Sequence, residues 1–191
     1  QPLGHLTGGG TMANLEALWV AGQMHPGKRI VASEQAHYTH SRISEVLQLP
    51  FSPVPADSDG RMDVSALRKS LASSDVGTVV ATLGTTGFGA VDPLPEILEL
   101  RSEFDGRLHV DAAYGGYFGL ASKLPDVTRG SFECIGNADS IVIDPHKHGL
   151  QPYGCGCVMF RDTDVGRLYE HGSPYTNFSS GDLHLGEISL E

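Results

Sequence analysis

A lysine stands between two histidines in Asp144-Pro-His-Lys-His-Gly-Leu150, directly after the apolar run from Ser140 to Ile143. Ammonium groups are strongly hydrated and usually stay at the surface, so a lysine delivered by a strand leaving the core invites a chemical explanation. Four other stretches carry groups that could act with Lys147. Gly8-Gly-Gly-Thr11 opens an apolar segment, and Ser33-Glu-Gln-Ala-His-Tyr-Thr-His40 carries two imidazoles. Gly84-Thr-Thr-Gly-Phe-Gly89 offers hydroxyls on a flexible backbone, and Asp111 ends the short run Leu108-His-Val-Asp111.

Each stretch has an ordinary reading beside the chemical one. Glycines followed by a helix start present unpaired amides at the positive end of the helix dipole, which suits a phosphate; they also make a tight turn with Thr11 as a plain N-cap. His37 and His40 have a spacing that a metal could use on a helix, yet no carboxylate or third ligand lies at a telling distance, so an exposed or hydrogen-bonded loop histidine is the expectation and no metal is expected. Asp111 can be held half-buried against a ligand, or can cap a helix.

The elements that must position these groups follow from periodicity and breakers. Leu15, Leu18, Trp19 and Gly22 recur at helical spacing, which predicts an amphipathic helix over Met12 to Gln23, broken at Pro26-Gly27. Strands are expected at Arg29 to Ala32, Thr78 to Leu83, Leu108 to Asp111, Asp139 to Ile143 and Gly156 to Phe160, with an irregular edge strand at Pro50 to Pro55. Helices are expected at Asp63 to Ala72, Leu94 to Phe104 and Asp162 to Glu170, and a less regular connection around Pro125 and Gly130. Strand, loop and helix in alternation favour an α/β fold, a mostly parallel sheet with helices on both faces. In such sheets a site lies beyond the carboxyl ends of the strands, where all five chemical stretches fall.

Composition narrows the function classes. A chain of 191 residues with 40% hydrophobic content can bury a real core. A formal net charge of -10 argues against a nucleic-acid partner, and no apolar stretch approaches the roughly 20 residues of a membrane span. Three cysteines, an odd number without zinc-site spacing, fit a reduced cytoplasmic compartment. The start at Gln1 has neither an initiator Met nor a signal pattern, which suggests a piece of something longer.

One ligand could use a phosphate cradle, hydroxyls, a carboxylate, an imidazole and a lysine together: pyridoxal 5'-phosphate. Its aldehyde forms an imine with a lysine amine, and its ring nitrogen becomes an electron sink when a nearby carboxylate keeps it protonated. At about 3 Å and an effective dielectric near 20, that charge pair is worth a few kcal/mol before desolvation.

These motifs resemble the pyridoxal-phosphate-dependent group II amino acid decarboxylases, which include aromatic amino acid, histidine and glutamate decarboxylases. The likeness rests on His109-Val-Asp-Ala-Ala-Tyr114 and Asp144-Pro-His-Lys147, with support from Ala81-Thr-Leu-Gly-Thr-Thr86 and Ser33-Glu-Gln-Ala-His37. It implies the large cofactor-binding domain of a fold-type-I enzyme over residues 1–191, incomplete because relatives have an N-terminal segment and a small C-terminal domain. It implies that Lys147 is the Schiff-base lysine, Asp111 the partner of the ring nitrogen and His37 the imidazole stacked on the ring. Gly10, Thr11 and His146 would hold the phosphate, with Thr86 and Ala113 lining the cofactor. Asp144 stands where many relatives have Asn and is not assigned as a ligand. A loop after the lysine carries a protonating Tyr in the family; here Gly172 to His184 contains Tyr175, whose role stays open.

The implied reaction is decarboxylation of a small-molecule amino acid substrate by a homodimer. Another fold-type-I activity, an aminotransferase or a carbon-carbon lyase, is the nearest alternative, and an incomplete cofactor-binding fragment is a further one.

Overall fold

The computed structural model describes residues 2–171, 189 and 190. Tyr175 and the rest of Gly172 to His184 lie outside the described residues. Seven strands form one sheet: β1 (Leu3–Thr7), β2 (Arg29–Ser33), β3 (Phe51–Val54), β4 (Val76–Thr82), β5 (Arg107–Asp111), β6 (Ser140–Ile143) and β7 (Gly156–Phe160), in the spatial order β1-β7-β6-β5-β4-β2-β3. The five strands from β6 to β3 pair in parallel. β7 is antiparallel to both of its neighbours, so β1 points the same way as the parallel strands. The carboxyl ends of β1, β2, β4, β5 and β6 therefore share one side of the sheet.

The helices are α1 (Gly10–Met24), α2 (Thr39–Val46), α3 (Val64–Leu71), α4 (Leu94–Glu99) and α5 (Asp126–Glu133). β4 shows why the sheet is covered twice. All seven of its residues are buried, and its alternation sends Val79 and Ala81 to a cluster with Leu67, Leu71, Leu94 and Ile97 of α3 and α4. Val80 points the other way, into a cluster with Leu18 of α1 and Ile43 of α2. A strand buried on both faces reads as a β-branched run without polar alternation, as Val76-Gly-Thr-Val-Val-Ala-Thr82 does. No helix among the described residues is long and apolar enough to cross a membrane.

Several local expectations are corrected. Gly9, not Thr11, is the N-cap of α1, and no side chain caps it. Nor is α1 amphipathic: Asn14 and Glu16 are buried alongside Ala13, Ala17, Leu18 and Val20, because β1, β6, β7 and α2 all pack against it. Its buried Glu16 meets His5 of β1 at 2.9 Å, a polar contact that no apolar stripe would reveal. The polar stretch expected to be a loop through His40 turns helical at Thr39, where α2 starts. The irregular connection contains α5, opened by Pro125. The helix expected from Leu94 to Phe104 is α4 followed by a 3-10 turn, and Thr163–Tyr169 is 3-10 as well.

Other readings hold. Asp63 caps α3 by accepting from the amides of Ser65 and Ala66, and β3, with Pro53 inside it, is an edge strand. Asp92 accepts from the backbone of Met62 and Thr82, each at 2.7 Å, and so ties the return of the β4 loop to the scaffold.

Candidate active site

A cavity of about 360 Å³ opens at the shared carboxyl edge, within the range of pockets that hold small ligands. Gly10, Thr11, His37, Thr86, Asp111, Ala113, His146 and Lys147 all line it, although they come from five separate stretches of chain. Gly8, Gly9, Met12, Asn14, Thr39, Thr82, Gly84, Tyr114, Asp144 and Tyr153 complete the wall.

Asp111 ends β5 and is almost fully buried. One carboxylate oxygen, Oδ1, accepts from the amide of Ala113 at 3.0 Å. The other, Oδ2, lies 2.8 Å from His40 Nε2 and 3.4 Å from the Asn14 amide nitrogen. Asp111 thus caps a turn and not a helix. Burial alone would raise its pKa, but the His40 contact and the Ala113 amide outweigh burial and hold it well below the ordinary carboxylate range.

The partners of Asp111 are themselves fixed. Asn14 Oδ1 can only accept, so His109 Nε2, 2.8 Å away, donates to it, and the Asn14 amide hydrogens are turned toward Asp111. Complete burial depresses the His109 pKa to about 3, so the ring is neutral and its Nδ1 accepts from Ser140 Oγ at 2.9 Å. A single directed chain runs Ser140, His109, Asn14, Asp111, with every donor pointing toward the carboxylate.

Lys147 sits in the turn after β6. Its Nζ is 2.8 Å from Oδ2 of Asp144, which is buried, while the lysine side chain is 37% exposed toward the cavity. His146 Nδ1 donates to the Cys155 carbonyl at 2.7 Å, which orients the ring, and its Nε2 is 3.8 Å from Asp144. His37 is half-buried at the end of β2; its Nδ1 accepts from the Thr39 amide at 3.4 Å and lies 2.9 Å from the Thr39 hydroxyl. Desolvation is the largest influence on this imidazole and lowers its pKa, so it is neutral at pH 7.

At the start of α1 the amides of Gly10, Thr11 and Met12 find no acceptor among the described residues. Three donors without an acceptor among the described residues, at the positive end of a fifteen-residue helix, face the cavity and have the polarity that suits an anion. The approach is close: a Cβ on Gly10 would lie 2.5 Å from the Asp144 carboxylate, so only glycine fits. Gly84, at φ +98°, needs glycine for a second reason, since it turns the chain against Gly115 beside Tyr114.

A sequence model of the pyridoxal-dependent decarboxylase conserved domain matches residues 14–168. The chain belongs to the pyridoxal-dependent decarboxylase family. Among its relatives, a probable L-tyrosine/L-aspartate decarboxylase of Methanothermobacter thermautotrophicus is 35% identical over 179 residues, covering 90% of this chain and 48% of the relative. An aromatic-L-amino-acid decarboxylase of Bacillus atrophaeus is 33% identical over 206 aligned positions, covering 98% of this chain and 42% of that protein. The crystal structure of mouse CSAD superposes with a TM-score of 0.86 at 26% identity, over 100% of this chain and 44% of its own. The chain thus spans about half the length of the curated relatives it matches.

Within this pyridoxal-dependent decarboxylase domain, three residues in or behind the cavity wall were given no role from the sequence. Asn14 sits where helical periodicity alone would place it among scaffold residues. His40 was expected in a loop and is instead 1% exposed, facing Asp111 from the first turn of α2. Asp144 was set aside because it would repel a phosphate; in the structure it lines the cavity and pairs with Lys147. A signal was available only for Asp144, three residues before the lysine in one turn.

Proposed function

We propose that the protein carrying this chain removes the α-carboxylate of an L-amino acid as carbon dioxide, leaving an amine, with pyridoxal phosphate held in the cavity at the carboxyl edge of the sheet. One observation carries this reading: Lys147, Asp111, His37 and the open amides of α1 surround a single cavity of about 360 Å³. The donor set fits the group, since orphan amides suit a phosphate, a buried ionised carboxylate suits a protonated ring nitrogen, and an accessible amine suits an aldehyde. When bound, pyridoxal phosphate supplies that aldehyde and a ring that draws off the electron pair of a breaking bond.

Lys147 would hold the cofactor through Nζ, with Asp144 as a buried counter-charge for its ammonium. Asp111, kept ionised, would favour a proton on the ring nitrogen. His37 is neutral and offers a flat, uncharged face for stacking on the ring. Gly10 and Thr11 would hold the phosphate, joined by His146, and Thr86 and Ala113 would line the remaining wall. In this reading residues 1–191 are an incomplete large domain of a cytoplasmic homodimer. Three free thiols suit a reducing compartment, and the exposed rings of Tyr114, Phe118 and Tyr153 near the cavity suit cover by a second copy.

Two measurements test the proposal. Purified protein mixed with pyridoxal phosphate should gain a long-wavelength absorbance and a borohydride-trapped adduct, both lost in Lys147→Ala; an adduct surviving in that variant overturns the lysine assignment. The full-length protein should release carbon dioxide from at least one member of an L-amino acid panel. Transfer of the amino group to a keto acid without gas would assign an aminotransferase instead.

A further inference from the structure

Asp111 has the cavity on one side and His40 on the other. His40 does not line the cavity, yet its Nε2 is 2.8 Å from Asp111 Oδ2 and both groups are buried. An ionised carboxylate in the core needs donors on both oxygens, because leaving a charged acceptor unsatisfied costs several kcal/mol. Oδ1 has the Ala113 amide. Oδ2 has Asn14 at 3.4 Å, a long contact, so His40 supplies the short bond that completes the shell.

The His40 ring makes that bond while standing edge-on to His109. Ser44 Oγ donates to the His40 carbonyl at 2.8 Å, which fixes the backbone of the first turn of α2. The ring's Nδ1 is buried without a partner among the described residues. An imidazole that leaves one nitrogen unsatisfied is an expensive core residue, and an apolar side chain at the same helical position would pack against Ile43 and its neighbours without that penalty. The contact with Asp111 is what the imidazole offers and an apolar residue cannot.

We propose that His40 is a positioning residue that, with Asn14, aims and ionises the Asp111 carboxylate for the ring nitrogen of the cofactor. The proposal rests on the pyridoxal-phosphate reading above and extends it one layer behind the cavity wall. His40 never touches the ligand. It acts by donating Nε2–H to Oδ2, which leaves the carboxylate no proton of its own and one orientation. Asn14, turned by His109 and Ser140, steadies the same oxygen from α1. Hydrogen-bond partners behind metal ligands contribute about 10- to 100-fold when removed, and the same scale is expected for a partner behind Asp111.

The test compares His40→Leu and His40→Gln in the full-length protein, with pyridoxal phosphate and with an analogue carrying a CH group in place of the ring nitrogen. With the natural cofactor, His40→Leu should lower kcat about 10- to 100-fold with little change in KM, and shift the absorbance of the bound cofactor. His40→Gln, which keeps a donor, should recover most of both. With the analogue, wild type and His40→Leu should become equal, because the atom that Asp111 serves is gone. Equal losses with both cofactors, or an unchanged spectrum in His40→Leu, would overturn the assignment and leave His40 as packing. Should His40→Leu not fold, His40→Gln decides: a three- to tenfold loss that vanishes with the analogue supports the role, and the same loss with both cofactors overturns it. Failure of wild type to take up pyridoxal phosphate through Lys147 would instead remove the underlying functional reading.

Discussion

A neutral imidazole locked in the middle of a sheet ties stability to pH. The folded pKa of His109 is depressed to about 3 by burial, whereas in the unfolded chain it lies near 6.5. The unfolded state therefore binds the extra proton between those values, so the contribution of His109 is complete above about pH 6.5 and is lost as pH falls toward 3. At pH 5 the loss is about 2 kcal/mol, at 1.36 kcal/mol per unit. Asp92 works in the opposite direction: burial raises its pKa to about 6, so acidification through that value favours the folded state. Replacing His109 with Gln removes only the first effect. Urea unfolding at pH 7 and pH 5 should show His109→Gln losing about 2 kcal/mol less than wild type on acidification; parallel pH dependences would contradict the assignment. Residues of this kind were only half legible. Lys147 and Asp111 stand out because each follows an apolar strand. Asn14, His40 and Ser140 acquire meaning only when α1, α2 and β6 are brought against Asp111, contacts spanning 71 to 97 positions between His40 or Asn14 and Asp111.

Among the elements, α1 carries the sharpest conflict between propensity and site. Ala at position 10 would favour a helix over Gly by about 1 kcal/mol in an open setting. Here its Cβ would meet the Asp144 carboxylate at 2.5 Å, a contact that neither the helix start nor the buried aspartate can easily yield. Gly10→Ala is therefore expected to give no gain in melting temperature and at least a tenfold weaker affinity for pyridoxal phosphate, read by titration; a stabilised variant with unchanged affinity would show that the cradle can relax. The strands were readable because β-branched runs bounded by glycine and proline leave few alternatives. The helices were less so. α2 is eight residues long and only four of them are buried, and α1, enclosed on several sides, lacks the polar face that periodicity looks for. β1, Leu3-Gly-His-Leu-Thr7, gives no strong strand pattern and is held by its pairing with β7.

At the scale of the whole molecule, some of the exposed aromatic and aliphatic side chains among the described residues lie on the loops beside the cavity. Tyr153 and Leu150 are more than 85% exposed, and Tyr114 and Phe118 form a ring cluster with His148, the residue after Lys147. Exposed apolar groups concentrated at a site mouth mark a surface that is covered in use. Under the homodimer reading, Phe118→Asp combined with Leu150→Asp should shift the full-length protein from dimer to monomer in sedimentation and lower turnover at least tenfold. A dimer that persists would put the contact elsewhere.

The pairing of β1 with β7 also bears on synthesis. The start of α1 emerges from the ribosome with residue 10, whereas the strand that pairs with β1 ends at Phe160. At about 5–20 residues per second, β1 and the start of α1 wait about 8–30 s for that partner. Until then β1 is an open edge, and under the proposed function a nascent chain that lacks Lys147 or the pairing of β1 with β7 can neither seat nor trap the cofactor. Loading belongs to the finished sheet, and supplying pyridoxal phosphate during translation should speed holoprotein formation no more than supplying it at release.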